Sequence, residues 1–291
     1  MAWTTDLTND PFRDRFIVGI SGYPGTGKTT ALLELAKVGK FVFLISMDGG
    51  TSKVRTNPAP YKGKLAINYI APTAPNADGS PWSFKKELED SARTLVGEKI
   101  PFLMSKGVKR SDIWVGIDTA THMQARLMNE VREMEIEYPD QKQTYGNKKK
   151  GRNTEEFLTQ LDFNINAGMM TSITEMFYRA NCNIVVISLV KHEEVNDKLK
   201  RAVPAIQGSS YQKITGDADV WLYLENGPQG RVFRTKAGMR WEAKDRFDVL
   251  DESIPFTPIG PENKVPTLLK IRNKVFTTAA VAEETKENAN G

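Results

Sequence analysis

The residues with the clearest chemical meaning form a glycine-rich segment near the N-terminus. Residues 22–29 read GYPGTGKT and match the spacing G-x-x-x-x-G-K-[ST]. Glycines in such a loop let backbone N–H groups turn inward and surround phosphate oxygens. We call residues 22–29 the phosphate loop. The expected contacts with a nucleotide come from Gly22, Tyr23, Pro24, Gly25, Thr26, Gly27, Lys28, Thr29 and Thr30.

The sequence on either side of the phosphate loop predicts a strand before it and a helix after it. Phe16 to Ser21 is a short apolar run, which is typical of a buried strand. Thr29 to Val38 is rich in helix-forming residues, and Gly39 follows where a C-terminal cap belongs. The positive end of this helix would face the phosphates. This is the Walker A arrangement, in which Lys28 reaches the β and γ phosphates of ATP and Thr29 binds Mg²⁺.

A carboxylate that could bind the same metal ion follows a second apolar run. Residues 113–117 read IWVGI and end at Asp118. An acid at the end of a buried strand is the Walker B pattern, and it predicts Asp118 as the partner of Thr29 in holding Mg²⁺. Thr119 rather than a second acid comes next. A base for hydrolysis must therefore come from elsewhere.

Asp48 is the next carboxylate at the end of an apolar run, after Phe41 to Met47. It could orient the attacking water. The alternative is an ordinary turn residue within the sequence MDGG. His122 follows the Walker B turn, and a structural role is the simpler interpretation of it.

Four apolar runs predict the strands of one parallel sheet, because strands covered by helices on both faces lack polar alternation. They are Phe41–Met47, Ile113–Ile117, Ile184–Leu189 and Val220–Leu224. Crossover helices are expected over Trp82–Val96 and Thr154–Ala180. Two alternating segments, Arg231–Lys236 and Arg240–Lys244, predict an antiparallel hairpin at the sheet edge with its turn at Ala237-Gly238-Met239.

Composition limits the class of protein. The chain has 291 residues, with 40 Lys and Arg against 36 Asp and Glu, a net charge of +4. No run approaches the length of a membrane span. Cys182 is the only cysteine, which excludes an intrachain disulfide and a multi-cysteine metal site and favours a cytoplasmic protein. We expect an N-terminal extension (1–14), an ATPase domain (15–251) and a C-terminal appendage (252–291) with a disordered end.

Two basic segments are candidates for binding single-stranded DNA, because cations neutralise phosphates and aromatic rings stack on bases. The first spans residues 138–152, and the second runs as a loop from Lys191 to Lys213. The predicted DNA contacts are Tyr145, Lys148, Lys149, Lys150, Arg152, Lys198, Lys200 and Arg201. The alternatives are a solvated loop for the first segment and a subunit contact for the second.

Taken together, the phosphate loop, Asp48, Asp118 and the later strands resemble the RecA-like ATPases over roughly residues 15 to 250. The closer resemblance is to phage-encoded nucleotide-binding proteins thought to act as RecA-like single-strand annealing recombinases. It implies an α/β fold, a RecA-like P-loop NTPase core with a mostly parallel sheet flanked by helices and a C-terminal antiparallel hairpin. Catalysis would then depend on Lys28, Asp48, Asp118, Lys244 and Arg246.

The resemblance also implies particular roles for residues outside the phosphate loop. Asp48 stands where these proteins usually carry a glutamate that acts on the water. Ser188 or His192 would sense the γ-phosphate. Lys244 and Arg246 look like the cations that a neighbouring subunit inserts into the site. The alternative for this pair is a solvated strand end.

The predicted function is that of an ATPase that assembles on single-stranded DNA, as a filament or a ring, and promotes annealing or homologous recombination. If the protein is encoded by a phage, it would act in the cytoplasm of a bacterial host. A small-molecule phosphotransferase of the P-loop class and a ring ATPase that acts as a DNA motor or loader remain as alternatives.

Overall fold

A computed structural model of the chain describes residues 15–48, 50–70, 83–133, 160–196 and 199–277. Its strands are β1 (Ile17–Ser21), β2 (Phe41–Ser46), β3 (Leu65–Tyr69), β4 (Ile113–Asp118), β5 (Asn183–Ser188), β6 (Val190–Asn196), β7 (Leu199–Pro204), β8 (Val220–Gly227), β9 (Gly230–Arg234), β10 (Lys244–Asp245) and β11 (Ser253–Pro255). The helices are α1 (Lys28–Lys37), α2 (Ser52–Thr56), α3 (Phe84–Thr94), α4 (Ile100–Ser105), α5 (Ala120–Glu133), α6 (Gln160–Tyr178), α7 (Ser209–Asp217) and α8 (residues 267–277).

One mixed sheet organises the fold. Its strand order is β11-β9-β8-β1-β5-β4-β2-β3, with β10 also paired to β8. The six strands from β8 to β3 in this order are parallel, whereas β9, β10 and β11 are antiparallel additions. The predicted mostly parallel α/β sheet with a C-terminal antiparallel hairpin is therefore confirmed. The carboxyl ends of β1, β5 and β4 meet at one edge of the sheet.

Helices cover both faces of the sheet, and each face has its own apolar core. Residues of α3, α5 and α6, such as Leu88, Leu127 and Ile173, fill one core. The other is filled by α1 and α8, including Leu32 and Leu268. Burial on both faces explains why the parallel strands have apolar sequences without polar alternation. Part of the predicted C-terminal appendage, residues 253–277, thus adds a strand and a helix to this same sheet and core.

The antiparallel hairpin does not have the predicted strands. Strand β9 pairs with β8, and the chain turns between Gly227 and Gly230, which has a φ of 112° that favours glycine. Residues 235–243 then leave the sheet, and β10 returns to pair with the first half of β8. The predicted pairing of Arg231–Lys236 with Arg240–Lys244 is wrong. Each segment instead pairs with a different part of the same side of β8.

Two further differences concern the edges of the fold. The predicted basic loop from Lys191 to Lys213 is instead a two-stranded antiparallel hairpin, β6–β7, followed by α7. Strand β3, which was not predicted, extends the sheet next to β2.

Within the described ranges, no helix combines the length and apolar character that crossing a membrane requires.

Gly116 in the middle of β4 has a packing role. A β-carbon at this position would lie 2.2 Å from Cδ2 of Leu32 and 3.1 Å from Cδ1 of Leu44. The glycine thus lets α1 pack directly against β4, with the Walker B acid Asp118 two residues further along the strand. The close approach of α1 to β4 depends on the missing side chain.

We predict that Gly116→Ala lowers the free energy of unfolding by about 1 to 3 kcal/mol, because the new methyl group overpacks the contact with Leu32. Urea denaturation measures it. The matched control is Gly168→Ala on the exposed side of α6, where no atom outside the adjoining backbone of α6 lies within 4 Å of the new β-carbon. The control should be neutral or stabilising by about 0.5 to 1 kcal/mol. Equal unfolding midpoints for the two variants would contradict this role of Gly116.

Candidate nucleotide site

The phosphate loop connects the end of β1 to the start of α1, as predicted from the sequence. Gly25 and Gly27 have φ angles of 77° and 102°, a backbone conformation that suits glycine. A β-carbon on Gly22 would lie 2.5 Å from the carbonyl oxygen of Leu224 in β8. These three glycines therefore allow the tight course of the loop, and α1 begins at Lys28 with its N-terminus at the loop.

The ammonium group of Lys28 is held inside the phosphate loop. Its Nζ donates hydrogen bonds to the carbonyl oxygens of Gly22 and Tyr23, both at 2.7 Å. Burial lowers the pKa of Lys28 to about 8, although the carboxylates of Asp118 and Asp48 act in the opposite direction. The lysine is thus already positioned where an anionic phosphate would compensate its lost hydration.

Asp118 and Thr29 meet at the carboxyl end of the parallel strands. The hydroxyl of Thr29 donates a 2.7 Å hydrogen bond to Oδ2 of Asp118, across 89 residues of sequence. The Asp118 side chain is completely buried, and its Oδ1 has no hydrogen-bond partner among the described residues. Burial, and secondarily the charge of Asp48, raise the pKa of Asp118 to about 7. A buried carboxylate with an unsatisfied oxygen beside a hydroxyl is a suitable pair of ligands for Mg²⁺.

Gly50 leaves space next to this pair. A β-carbon at Gly50 would lie 2.9 Å from Oδ1 of Asp48, 3.1 Å from Oγ1 of Thr29 and 3.5 Å from Oδ2 of Asp118. Three side-chain oxygens therefore lie within 3.5 Å of one point at which the chain carries no side chain. The described residues contain no cluster of three or more His, Cys, Asp or Glu side chains suited to a metal. The arrangement fits an ion that nucleotide phosphates and water also coordinate.

Asp48 makes a turn contact and also lies beside His122, while its role in orienting water stays a prediction. Its Oδ1 accepts a 2.9 Å hydrogen bond from the N–H of Gly50, as expected of a turn residue. Its Oδ2 lies 4.0 Å from Nδ1 of His122, and this nitrogen is 2.9 Å from Oγ1 of Thr119. His122 therefore lies beside the site, although a structural role was the simpler interpretation from the sequence. The signal was its position in the first turn of α5, directly after the Walker B strand.

The two predicted sensor residues occupy different positions around the phosphate loop. Ser188 ends β5, which lies between β1 and β4. It is buried, and its Oγ has no hydrogen-bond partner among the described residues. His192 lies on β6, where its Nε2 is 2.5 Å from the hydroxyl oxygen of Tyr23. Their sensing role stays a prediction.

Lys244 and Arg246 lie at the opposite end of the parallel strands, where β8 begins. Nζ of Lys244 donates to the carbonyl oxygens of Thr215, Gly216 and Ala218 at 2.9 to 3.0 Å. Arg246 donates to Gly216 and to the carboxylate of Asp219. Both cations thus satisfy carbonyl groups left free where α7 ends.

Both cations lie near Asp219, whose carboxylate accepts a hydrogen bond from the N–H of Ile17 at the start of β1. The phosphate loop of the same chain follows the other end of β1, so neither cation contributes to it. Burial is the main cause that lowers the pKa of Lys244. A role of Lys244 and Arg246 in the site of a neighbouring subunit stays a prediction.

The predicted DNA-binding residues fall into two groups. Tyr145, Lys148, Lys149, Lys150, Arg152 and Lys198 lie outside the described residues. Lys200 and Arg201 lie on β7. The ammonium of Lys200 is 3.7 Å from the carboxylate of Glu194, and Nε of Arg201 donates to the carbonyl oxygen of Trp241 at 3.3 Å. Lys200 is the more exposed of the two.

Comparison with known proteins identifies a family. A family model described as an AAA domain matches residues 15–247. No curated protein matches the sequence. Among solved structures, the RadB recombinase is similar at 16% identity and a TM-score of 0.39, over 76% of this chain and 80% of that one. An ATPase from the type III secretion system of pathogenic bacteria is similar at 15% identity and a TM-score of 0.43, over 72% of this chain and 51% of that one.

We predict that Asp118→Asn separates stability from nucleotide chemistry. The amide keeps an oxygen for the Thr29 hydroxyl and removes a buried charge, so the free energy of unfolding in urea should stay equal or rise. Nucleotide hydrolysis in Mg²⁺ should fall by about 100-fold or more, because a metal ion bound beside Thr29 would lose a carboxylate ligand. A variant that hydrolyses ATP normally, or that unfolds easily, would contradict this assignment of Asp118.

Proposed function

Because the chain belongs to the AAA domain family of P-loop ATPases, we propose that it hydrolyses Mg²⁺-bound ATP at the phosphate loop and uses the nucleotide to control assembly on single-stranded DNA. In this proposal the assembled protein promotes annealing or homologous recombination. A homo-oligomer, as a filament or a ring, would place the nucleotide at the interface between subunits.

The observation that carries the nucleotide part of the proposal is the contact between Thr29 and the buried Asp118. The 2.7 Å hydrogen bond brings the Walker A hydroxyl and the Walker B carboxylate together, and one oxygen of Asp118 is left without a partner among the described residues. Burying a carboxylate in this way is costly unless a cation or a donor compensates it. A nucleotide site supplies that compensation.

Each side chain then has a distinct task. Lys28 and the N-terminus of α1 bind the phosphates and stabilise the negative charge that grows during transfer. Thr29 and Asp118 hold Mg²⁺, which when bound neutralises charge on the phosphate oxygens. Asp48, whose carboxylate also borders the space at Gly50, orients the attacking water. The charge of Asp118 is well suited to a dication, since burial opposes its ionisation otherwise.

The DNA part of the proposal is supported by the position of the β6–β7 hairpin. The hairpin carries Lys200 and Arg201 on β7, and His192 on β6 contacts Tyr23 of the phosphate loop. A ligand that moves the hairpin would therefore act on the loop through a direct contact. This connection supports single-stranded DNA, bound by the cations of the hairpin, as the activating ligand.

We predict that ATP hydrolysis in Mg²⁺ is stimulated by single-stranded DNA. The stimulation should be at least several-fold, because the hairpin that binds DNA contacts the phosphate loop. Steady-state phosphate release with and without an oligonucleotide measures it, and Lys28→Ala is the blank because it removes the ammonium from the loop. Hydrolysis that is lost in the blank but indifferent to DNA would favour a phosphotransferase or a motor with a protein trigger. No hydrolysis at all would contradict the proposal.

A second prediction concerns Arg246 as a cation supplied by a neighbouring subunit. Arg246→Ala should bind ATP but hydrolyse little, and mixing it with Lys28→Ala should restore part of the activity, since mixed interfaces combine an intact loop with an intact Arg246. Lys236→Ala is the matched control, because it removes another exposed cation that pairs with Asp248.

Urea denaturation of Arg246→Ala is needed alongside, because Arg246 also bonds to the end of α7. If the variant folds normally and the mixture shows no recovery, Arg246 does not act in a neighbouring site. If Lys236→Ala loses activity to the same extent, the effect of Arg246 is one of general charge.

A further inference from the structure

A cleft of about 360 Å³ opens beside the phosphate loop, between the β6–β7 hairpin and the segment of residues 235–243. We call it the aromatic cleft. Besides the imidazole of His192, its described walls carry three aromatic rings and three cations: Tyr23, Tyr223 and Trp241, and Lys200, Arg234 and Arg240. Four of these six residues played no part in the predictions from sequence for DNA or nucleotide binding.

Trp241 is held rigidly in the wall of the aromatic cleft. Its indole N–H donates to the carbonyl oxygen of Lys236 at 3.1 Å. On either side of it, the backbone groups of Arg240 and Glu242 bond to those of Ala202 in β7, at 2.8 and 2.9 Å. The ring lies parallel to that of Tyr223, at an interplanar angle of 3° and a centroid distance of 6.2 Å. A fixed ring offers a stacking surface at little cost in conformational entropy.

The charge of the aromatic cleft is positive. Glu225 is the single acid among the described residues of its wall, and Nε of Arg234 donates to it at 2.7 Å. This pair places the guanidinium 4.8 Å from the centre of the Trp241 ring. Arg240 is exposed and forms no ion pair with any other described residue, whereas Lys200, within the same described part of the chain, pairs with the exposed Glu194 at 3.7 Å. Two exposed cations are thus available to an anionic ligand.

A cleft with both aromatic faces and exposed cations matches the chemistry of single-stranded nucleic acid. Proteins that bind single strands stack the bases on aromatic rings and neutralise the backbone phosphates with Lys and Arg. A duplex keeps its base faces stacked inside, and a free phosphate has no ring to stack. Resting on the proposed function, we propose that the aromatic cleft binds a base of single-stranded DNA, stacked on Trp241, with its flanking phosphates at Lys200 and Arg240.

The position of the aromatic cleft connects such a strand to the nucleotide site. Tyr23 is both a wall of the cleft and the second residue of the phosphate loop, and 41% of its surface is exposed. Its hydroxyl oxygen is 2.5 Å from Nε2 of His192. A base that enters the cleft therefore contacts or displaces a residue that is directly bonded to Gly22, whose carbonyl oxygen accepts from Lys28.

The test compares two strands that differ only in their bases. Fluorescence anisotropy gives the Kd of an oligo-dT and of an abasic strand of equal length and charge. Trp241→Ala should raise the Kd for oligo-dT about 5- to 100-fold, from the known value of one base stacked on an aromatic ring, and should leave the Kd for the abasic strand nearly unchanged. Trp241→Phe, which keeps a ring, should restore most of the affinity.

The matched control is Phe102→Ala, which removes an exposed aromatic ring that does not line the cleft. Its Kd for oligo-dT should equal that of the unmodified protein. Arg240→Ala should lower the slope of log Kd against log salt by about 0.7, the value of one phosphate contact on a single strand. Lys62→Ala, an exposed lysine outside the cleft, should leave the slope unchanged.

The outcomes separate the aromatic cleft from the wider proposal. If the unmodified protein binds oligo-dT and Trp241→Ala binds it equally well, the cleft is not the site, while the proposed function stands. An equal loss for the two strands overturns base stacking. If the unmodified protein binds neither strand, both proposals fail. If Trp241→Ala changes only self-association in sedimentation velocity, the cleft is a contact between subunits instead.

Discussion

The buried carboxylate of Asp118 imposes the main constraint on this structure. It lies where strand β4 ends, fully removed from solvent, and its pKa is raised to about 7 by burial and by Asp48. Such a group is unfavourable in a core unless donors or cations surround it. Thr29 supplies one donor, and the ammonium of Lys28 lies close enough to favour the charged form. The start of α1 must therefore lie against the end of β4, and the packing of α1 follows from that requirement.

Gly116 shows how this requirement reaches into the core. From the sequence alone, a glycine in the middle of the Walker B strand looks like a weakness in a hydrophobic run. In the structure it is the place where Leu32 of α1 meets the sheet, with no room for even one more carbon. A sequence pattern describes which residues are apolar, but it does not contain the distance between a helix and a strand. That distance is a tertiary property.

Sequence reasoning succeeded where the signal was local and failed where strands had to choose among partners. The phosphate loop, β1 and α1 are neighbours in the chain, so glycine spacing and helix propensity are enough to predict them. Strand β9 pairs with β8 over 3 to 11 positions. The pairing of β10 with β8, and the contacts of Lys244 and Arg246 with the end of α7, join residues about 23 to 30 positions apart in the chain. Alternation of polar and apolar residues identifies such segments as strands without naming their neighbour. Trp241 illustrates the same limit, because its role depends on Ala202 and Tyr223, which only the fold brings close.

The residues at the two ends of the parallel strands have different roles. At the edge where strands begin, Lys244, Arg246 and Asp219 satisfy backbone groups of α7 and β1. At the other edge, the phosphate loop after β1 and Asp118 at the end of β4 form the candidate nucleotide site, and Tyr23 of that loop contacts the β6–β7 hairpin. Coupling between two ligands is reciprocal in free energy. If a strand in the aromatic cleft changes the affinity of the phosphate loop for ATP, then ATP must change the affinity for the strand by the same factor. Tyr23 offers a direct physical route for that exchange, because it belongs to the phosphate loop and also lines the aromatic cleft.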